Sequence, residues 1–305
     1  MDTIAELARD AVAIRQQEVR TPRWQRTLRA IYVIWYRDLI RYARDRTRLV
    51  ASLAQPLLFL VVFGVGLSSS LGSVGGGRGG SAAFSTGGAS LSYIQYIYPG
   101  VVGMAVLFTA MFSSMSIVWD REFGFLKEIL VAPIDRSAVA IGKALGGATQ
   151  AMLQGLIMLA VGPIIGVHLT PLTVVEVIPI LFLIAFTLTA FGVAIAARMR
   201  SMQGFQVIMN FLLMPVFFLS GSLFPLVGLP AWMTVLTRID PVAYGIAPLR
   251  TAVLSTSGAP GAVTRELASV TWFGWQVPSI LALGMLSLLG SVFLGVAIRA
   301  FRVRD

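Results

Sequence analysis

Charged side chains cluster in one stretch of this sequence, residues 119–143, and they are its best candidates for chemistry or for binding a partner. The densest part reads WDREFGFLKE and is followed by Asp135 and Arg136. The apolar runs on both sides are long enough to cross a membrane, which takes about 20 residues. A short charged segment between two spans is placed to receive force from a partner outside the bilayer.

Residue types for catalysis, metal binding or nucleotide binding are scarce. The chain has no cysteine and one histidine, His168, so the sequence predicts no thiolate chemistry and no cysteine- or histidine-based metal site. The phosphate-binding pattern G-x-x-x-x-G-K-[ST] is absent, and the nearest string, residues 141–144, lacks its glycine spacing and its hydroxyl. We therefore expect no cofactor, no metal and no enzymatic activity on this chain.

The elements that position these residues are predicted to be membrane-spanning helices. Of the 305 residues, 56% are hydrophobic and 12% are charged, against about 25% charged in ordinary soluble proteins. The apolar runs do not alternate as barrel strands would. The sequence predicts an all-α membrane protein with six transmembrane helices in a domain at about 49–298, the spans lying at about 49–67, 96–118, 139–167, 174–197, 204–224 and 278–297.

The distribution of basic residues predicts the orientation. Six spans place both termini on one side, and 20 of the 24 Lys and Arg residues then lie on that side. Because basic residues are enriched in cytoplasmic loops, we expect both termini, 1–21 and 299–305, to be cytoplasmic in the inner (plasma) membrane of a bacterium. The net charge of +10 is explained by this bias, so no nucleic-acid partner is predicted.

An amphipathic helix is predicted at 22–48, before the first span. Its apolar stripe includes Trp24, Leu28 and Trp35, whereas Arg37, Arg41 and Arg44 lie on the opposite side. This pattern is typical of a helix in the bilayer interface, with its rings among the headgroups and its arginines toward water or lipid phosphate.

Two further segments interrupt the spans. In a short helix predicted at about 119–136, residues Trp119, Phe123, Leu126 and Leu130 share a face, so we expect them to hold it to the bundle while Arg121 and Glu128 face outward. Gly124 is placed to bend the chain between span and helix. The external loop 223–250 is too apolar to be free and too rich in proline to span, so we expect short re-entrant helices there.

Aromatic residues and methionines in spans two and five are candidates for a substrate cavity, because such a lining suits an apolar molecule. They are Met104, Phe108, Phe112, Phe211, Met214, Phe217 and Phe218. Gly142 and Gly146 have the spacing for a close helix contact. Glu176 is an acid near the outer end of span four. Because acids inside membrane segments can carry protons, the alternative of a proton-coupled secondary carrier stays open.

Two stretches resemble the membrane subunits of ABC-2 type transporters, in particular the permeases similar to daunorubicin-resistance proteins. The first is the family's acid-Arg-Glu-x-Gly-x-Leu run ending in proline, matched by Asp120, Arg121, Glu122, Gly124, Leu126 and Pro133. The second is its external pattern, matched by Phe224, Pro225, Leu229, Pro230, Trp232, Pro241, Tyr244, Leu249 and Arg250. Lys127 stands where the family commonly has an acidic or neutral polar residue.

The resemblance implies a half-transporter that pairs with a second permease subunit, as a homodimer, and recruits two copies of an ATP-binding subunit, which hold ATP and Mg. It implies that Trp24, Leu28, Trp35, Arg37, Arg41 and Arg44 belong to a connecting helix against that subunit. Coupling to it is implied for Asp120, Arg121, Glu122, Gly124, Leu126, Lys127, Glu128 and Pro133. An extracellular gate is implied at Phe224, Pro225, Leu229, Pro230, Pro241 and Tyr244.

The function predicted from these features is export of an apolar or amphipathic substrate (a drug, lipid or natural product) across the lipid bilayer. The energy comes from ATP hydrolysed on a separate chain. A permease for a lipid-linked glycan or a lipid is the alternative within the same class, and the proton-coupled carrier is the alternative outside it.

Overall fold

The computed structural model describes residues 22–67, 83–86, 89–124, 135–226, 229–256, 270–272 and 275–303. Within these residues, six helices are long and apolar enough to cross a membrane. Their bounds are Arg46–Gly64, Tyr93–Glu122, Arg136–Ile165, Pro171–Ala196, Met202–Leu219 and Ser279–Arg302. The predicted all-α membrane fold with six spans is confirmed.

The chain enters the bundle through two consecutive helices. The amphipathic helix α1 covers Arg23–Arg44, and α2 covers Arg46–Phe59 and continues as a π-helical segment over Leu60–Leu67. The single helix predicted at 22–48 is therefore wrong at its C-terminal end. Asp45 interrupts it, because its carboxylate accepts a hydrogen bond from the Arg48 amide at 3.0 Å and caps the first turn of α2.

The middle of the chain forms three spans. Span two consists of α3 (Tyr93–Ser113) and α4 (Met115–Glu122). Span three is α5 (Arg136–Val161), which ends in a 3-10 turn at Gly162–Ile165. Span four is α6 (Pro171–Ala196), whose first turn is capped by the Thr170 side chain. Two short strands, β1 (Ala83–Thr86) and β2 (Ala89–Ser92), pair antiparallel just before span two.

The last third contains two short helices between spans five and six, in the segment where re-entrant helices are predicted. Span five is α7, Met202–Leu219. It is followed by α8 (Ala231–Ile239) and α9 (Pro241–Leu254), by the paired strands β3 (Thr271–Trp272) and β4 (Trp275–Gln276), and by span six, α10 (Ser279–Val303). Span five ends at Leu219 rather than at the predicted 224, since Gly221 turns the chain in the left-handed region at φ +75°.

The core lies around span two. In the most apolar 18-residue stretch of span two, 78% is buried inside the chain. The corresponding share is 17% for span one and 22% for each of spans five and six. Helices α5, α6 and α9 surround α3, and α10 packs against α6. We name the two ends of the bundle by their contents. The basic end carries α1, the end of α4 and the start of α5. The hairpin end carries β1, β2, α8 and α9.

Candidate functional site

The charged stretch begins as a continuation of span two and then turns away. Helix α4 ends at Glu122, and Gly124 has φ +79°, a conformation that glycine adopts at low cost. The predicted bend at Gly124 is confirmed. Residues 125–134 are outside the described residues, and with them Leu126, Lys127, Glu128 and Pro133.

Four charged side chains meet just before this turn, and we name them the ion cluster: Arg37, Asp38, Asp120 and Lys143. The Lys143 ammonium lies 2.7 Å from Asp120 Oδ2 and 3.1 Å from Asp38 Oδ2. Arg37 Nη2 lies 3.3 Å from Asp120 Oδ2 and 3.4 Å from Asp38 Oδ1. Two cations therefore neutralise two carboxylates.

The ion cluster joins three separate elements at the basic end. Arg37 and Asp38 are on α1, Asp120 is on α4 and Lys143 is on α5. Lys143 also donates a hydrogen bond to Ser116 Oγ at 3.1 Å. Lys143, Asp38 and Asp120 are buried. Because a buried charge that loses its partner is strongly destabilising, each of these three side chains depends on the others.

Asp38 and Lys143 were not predicted as site residues. A signal for Asp38 was available, because it lies on the same helical face as Trp35 and Tyr42, and an acid on the apolar face of an amphipathic helix needs a buried partner. The partner itself, 105 residues further along the chain, gives no comparable signal.

The connecting helix α1 is docked along α5 rather than free in the interface. Trp35 Nε1 donates to Thr149 Oγ1 at 2.9 Å, and the Tyr42 hydroxyl donates to Gln154 Oε1 at 3.0 Å. A Cβ on Gly142 would lie 3.0 Å from Ile34 Cβ, so this glycine permits the close approach that its spacing predicted. The C-terminal half of α1 therefore runs beside a span.

The predicted connecting-helix residues lie in different surroundings. Trp24 and Leu28, in the N-terminal half of α1, are exposed, as is Arg44. Arg37 belongs to the ion cluster, and the Arg41 guanidinium lies 5.1 Å from the centre of the Trp119 ring. The basic face of α1 therefore turns two of its arginines toward the end of span two.

The predicted orientation of the charged stretch is wrong in two respects. Trp119 and Phe123, predicted to pack on the bundle, are 39% and 75% exposed. Arg121, predicted to face outward, donates to the carbonyls of Ala197 and Met199. The prediction assumed one continuous helix, whereas α4 ends before Gly124 and its polar residues find partners inside the bundle.

Arg121 and Glu122 hold the turn between spans four and five. The Arg121 guanidinium lies 3.1 Å from the Ala197 carbonyl, and Glu122 Oε2 accepts a hydrogen bond from the Met202 amide at 3.1 Å. Met202 is the first residue of α7, where free amides and the helix dipole favour a carboxylate. The end of span two is thus linked to span five as well as to α1 and α5.

The predicted gate residues lie at the hairpin end, in and before the re-entrant helices. Phe224, Pro225 and Leu229 are half-buried, Pro230 precedes the first turn of α8, and Pro241 begins α9. Tyr244 is buried.

The Tyr244 hydroxyl links α9 to the elements on either side of it. It donates to the Arg238 carbonyl at 2.6 Å and accepts a hydrogen bond from Trp272 Nε1 at 2.9 Å. These two bonds connect α8, α9 and β3.

Arg250 fixes the turn after span five, although it is a fully buried cation. Its guanidinium donates to the carbonyls of Gly221 at 2.7 Å and Ser222 at 3.2 Å, and it lies 4.2 Å from the centre of the Tyr96 ring. At the other end of α9, Asp240 caps the helix by accepting a bond from the Val242 amide at 2.9 Å. Burial raises the pKa of Asp240 to about 8.

The predicted cavity residues lie in different surroundings within this single chain, so the substrate cavity stays a prediction. Met104 and Phe217 are fully buried in the core, whereas Phe211, at 80%, and the less exposed Met214 and Phe218 lie on the surface of span five. Their separation follows from helix packing, which the residue types alone do not specify.

Phe108 and Phe112 do line a cavity, of about 440 Å³, but it lies between α1, α2 and span two rather than between spans two and five. Glu176 is exposed on α6. Among the residues that the structure describes, no group of three His, Asp or Glu side chains is arranged to hold a metal ion.

The sequence matches the family described as ABC-2 type transporter over residues 29–254, from α1 to the end of α9. It is 26% identical over 73% of both chains to the putative transport permease ycf38 of Cyanophora paradoxa. It is 25% identical to the inner membrane transport permease YadH of Escherichia coli, over 83% of this chain and 91% of that one.

A third relative is the probable doxorubicin resistance ABC transporter permease protein DrrC of Mycobacterium tuberculosis. The two are 26% identical over 70% of this chain and 73% of that one. The match covers α1 from residue 29 onward, the ion cluster, the first five spans and helices α8 and α9. With its six apolar helices, this chain belongs to the ABC-2 type transporter family and is the membrane-spanning permease of an ABC transporter.

Proposed function

We propose that this permease exports an apolar or amphipathic substrate, with energy from ATP hydrolysed on a separate ATP-binding subunit that docks at the basic end. The proposal makes the basic end cytoplasmic, in agreement with its excess of Lys and Arg. The docking surface consists of the end of α4, the segment 125–134 and the exposed N-terminal half of α1.

The observation that carries this proposal is the position of the ion cluster. Asp120 lies four residues before Gly124, where span two gives way to the segment that faces the partner. A displacement of that segment acts first on α4. Through Asp120 it is passed to Lys143 on α5 and to Asp38 on α1, and through Arg121 and Glu122 to the start of α7.

A second permease subunit is proposed to cover spans one and five. These spans are the least buried together with span six, and their exposed side chains are large and apolar. Examples are Val50, Leu58, Phe211 and Met214. In a homodimer these faces would border a path between the subunits, which gives Phe211, Met214 and Phe218 a place in the substrate lining. Two permeases would then recruit two ATP-binding subunits.

The substrate class is proposed from the chemistry of the chain. Exposed aromatic and methionine side chains on span five suit an apolar surface, and one relative is named for doxorubicin resistance. The proton-coupled alternative has less support. Glu176 is exposed at the outer end of span four, and the buried acids Asp38 and Asp120 are already neutralised by Lys143 and Arg37.

The test compares two glycines that have similar backbone conformations and lie at opposite ends of the helix bundle. Gly124 has φ +79° and Gly166 has φ +82°, and neither has a neighbour within 4 Å of an added Cβ. Each amide donates one bond, to the Arg121 carbonyl at 3.2 Å and to the Pro163 carbonyl at 3.3 Å. Proline fixes φ near −65° and removes that donor, so Gly124→Pro and Gly166→Pro impose the same local change.

The permease is co-reconstituted with its ATP-binding subunit in proteoliposomes, and ATP-driven uptake of a fluorescent amphiphile is measured with the substrate-stimulated ATPase rate. We expect Gly124→Pro to abolish both while leaving membrane insertion intact, and Gly166→Pro to retain most of each. Full transport in Gly124→Pro would refute the assignment of this segment to coupling.

A further inference from the structure

The cavity at the basic end has two chemically different walls. Helices α3 and α4 supply aromatic side chains, including Phe108, Phe112 and Trp119, whereas the wall formed by α1 and the start of α2 is charged and carries Arg41, Arg48, Asp38 and Asp45. Its volume of about 440 Å³ is sufficient for part of a small molecule, since ligand sites in proteins have about 300–1,000 Å³. A cavity with one aromatic wall and one charged wall suits an amphiphilic molecule, which has a polar and an apolar part.

Two buried polar side chains line this cavity and have an atom without a partner in the described part of the chain. Thr109 and Gln150 are each 5% exposed. Thr109 Oγ1 and Gln150 Oε1 have no hydrogen-bond partner there. The amide of Gln150 is oriented, because its Nε2 donates to the Asp38 carbonyl at 3.2 Å, which leaves Oε1 as an acceptor. Since an unsatisfied buried polar group costs about 1–3 kcal/mol, a ligand that satisfies these atoms gains affinity.

The two arginines have hydrogen-bonding capacity for an anion. Arg41 lies over the Trp119 ring, and Arg48 lies 5.9 Å from the centre of the Tyr42 ring and donates one bond, to the Phe112 carbonyl at 3.4 Å. Neither guanidinium forms an ion pair with a residue in the described ranges. A guanidinium has five N–H donors, and phosphate is a preferred acceptor for them.

We propose that this cavity binds the head group of an amphiphilic substrate that enters from the leaflet at the basic end. Its anionic group lies between Arg41 and Arg48, a hydroxyl or amine donates to Gln150 Oε1 and to Thr109 Oγ1, and its apolar part packs on Phe108 and Phe112. This is the chemistry of a phospholipid-like molecule whose head group carries a phosphate and a hydrogen-bond donor. That the bound molecule is the exported one rests on the proposed function.

The mouth of the cavity is compatible with entry from the bilayer. Ala51 and Gln55 line it from α2, and both are exposed on the surface of span one. Gln55 lies one helical turn after Ser52, and both side chains line the cavity. A tail can therefore remain among the lipids while the head group occupies the cavity.

The test measures binding by the full-length permease alone, in phosphatidylcholine nanodiscs without the ATP-binding subunit or nucleotide. Phosphatidylethanolamine brominated on its acyl chains is titrated into the discs, and quenching of tryptophan fluorescence is recorded. Quenching that is seen in the parent and is lost in Trp119→Phe comes from Trp119. Because Trp119 lines the cavity, this part of the signal measures binding in the cavity. Diacylglycerol with the same brominated chains shows what the tails contribute, and soluble phosphoethanolamine shows what the head group contributes.

The informative variant is Thr109→Val, which keeps the side-chain shape and removes a hydroxyl that has no described partner. We expect it to weaken phosphatidylethanolamine binding about tenfold and to raise the melting temperature of the lipid-free protein. Thr189→Val is the matched control, because Thr189 Oγ1 is also buried without a described partner but lies outside the cavity. It is expected to raise the melting temperature equally and to leave binding unchanged.

Three results would overturn the proposal: unchanged binding in Thr109→Val, equal quenching by brominated diacylglycerol, or displacement of the lipid by soluble phosphoethanolamine at an equal concentration. Because the measurement needs no ATP hydrolysis, its outcome is independent of whether the coupling assignment is correct. Conversely, a permease that fails to export still reports head-group binding in this assay.

Discussion

The two ends of this permease stabilise buried charge in different ways. At the basic end, Lys143 and Arg37 neutralise Asp38 and Asp120, and the four side chains come from three helices. At the hairpin end, the Arg250 guanidinium donates to the backbone carbonyls of Gly221 and Ser222 and lies against the Tyr96 ring. The basic end brings opposite charges from three helices together, whereas the hairpin end brings two backbone carbonyls and a ring face to one guanidinium.

This difference suggests different tasks. An ion cluster between helices stays satisfied only while α1, α4 and α5 keep their relative positions, so these helices are expected to respond to a partner as one unit. The contacts of Arg250 instead fix the turn at Gly221 and Ser222 against α9 and span two, which holds the hairpin end in place. Three variants test this comparison, from the largest expected effect to the smallest.

The largest effect is expected from Lys143→Met. It removes the most buried cation of the ion cluster and leaves the carboxylates of Asp38 and Asp120 facing each other. We expect a loss of about 3–5 kcal/mol in the free energy of unfolding, the usual cost of breaking a buried ion pair. The measurement is reversible unfolding of the purified protein in mixed micelles.

The triple variant Asp38→Asn, Asp120→Asn, Lys143→Met is the control, because it removes the three buried charges together and leaves only the partly exposed Arg37. It is expected to recover most of the stability and to remain defective in coupled ATPase activity. A single Lys143→Met variant as stable as the parent would show that the ion cluster does not hold these helices together.

The second variant, Asp240→Asn, tests the hairpin end through pH. The pKa of Asp240 is about 8 in the folded chain and 3.8 as its ordinary value. Between these values the unfolded chain releases the proton and the folded chain keeps it, so stability falls as pH rises from about 4 to 8 and then levels off. The slope is at most about 1.4 kcal/mol per pH unit.

Asparagine keeps an oxygen for the Val242 amide and does not titrate, so melting temperatures of Asp240→Asn measured at pH 6 and pH 8 should differ less than those of the parent. An equal pH dependence in both proteins would show that Asp240 ionises normally and that the hairpin end carries a second buried charge.

The smallest effect is expected from Arg250→Lys, which keeps the charge and loses the planar guanidinium. An ammonium cannot reach both carbonyls and stack on Tyr96 in the same way. We expect a loss of about 1–3 kcal/mol in stability, with faster hydrogen exchange in the turn at 220–223. Coupled ATPase activity should be retained. If coupling were lost instead, the hairpin end would share the task assigned to the ion cluster.

The spans were predictable from the sequence because hydropathy is a local property, and the bend at Gly124 was predictable because only one residue type adopts it cheaply. The ion cluster was not predictable. Asp120 and Arg37 are 83 residues apart, and their pairing depends on how α1 docks on α5. For the same reason Phe211 and Phe217, close in sequence, proved to be exposed and buried respectively.

The prediction that Trp119 packs on the bundle while Arg121 faces outward was wrong for a related reason. A helical wheel places Arg121 and Trp119 on opposite faces, yet it cannot show where the helix ends. α4 stops before Gly124, and Arg121 donates to the carbonyls of Ala197 and Met199. With Arg121 bonded to these carbonyls, the Trp119 and Phe123 rings lie at the surface.

The most direct test asks whether α1 and α5 move as one unit. The chain has no cysteine, so a single designed pair can be cross-linked. Cysteines at Ile34 and Gly142 have Cβ atoms about 3.0 Å apart, which a small adjustment brings to disulfide geometry. ATP-driven transport is then compared in the oxidised protein and in the same sample after reduction.

Equal transport rates in the two states are the predicted result, because the ion cluster already holds α1 to α5 throughout the cycle. Loss of transport on oxidation and its return on reduction would contradict the account, since α1 would then have to move relative to α5 for export to occur.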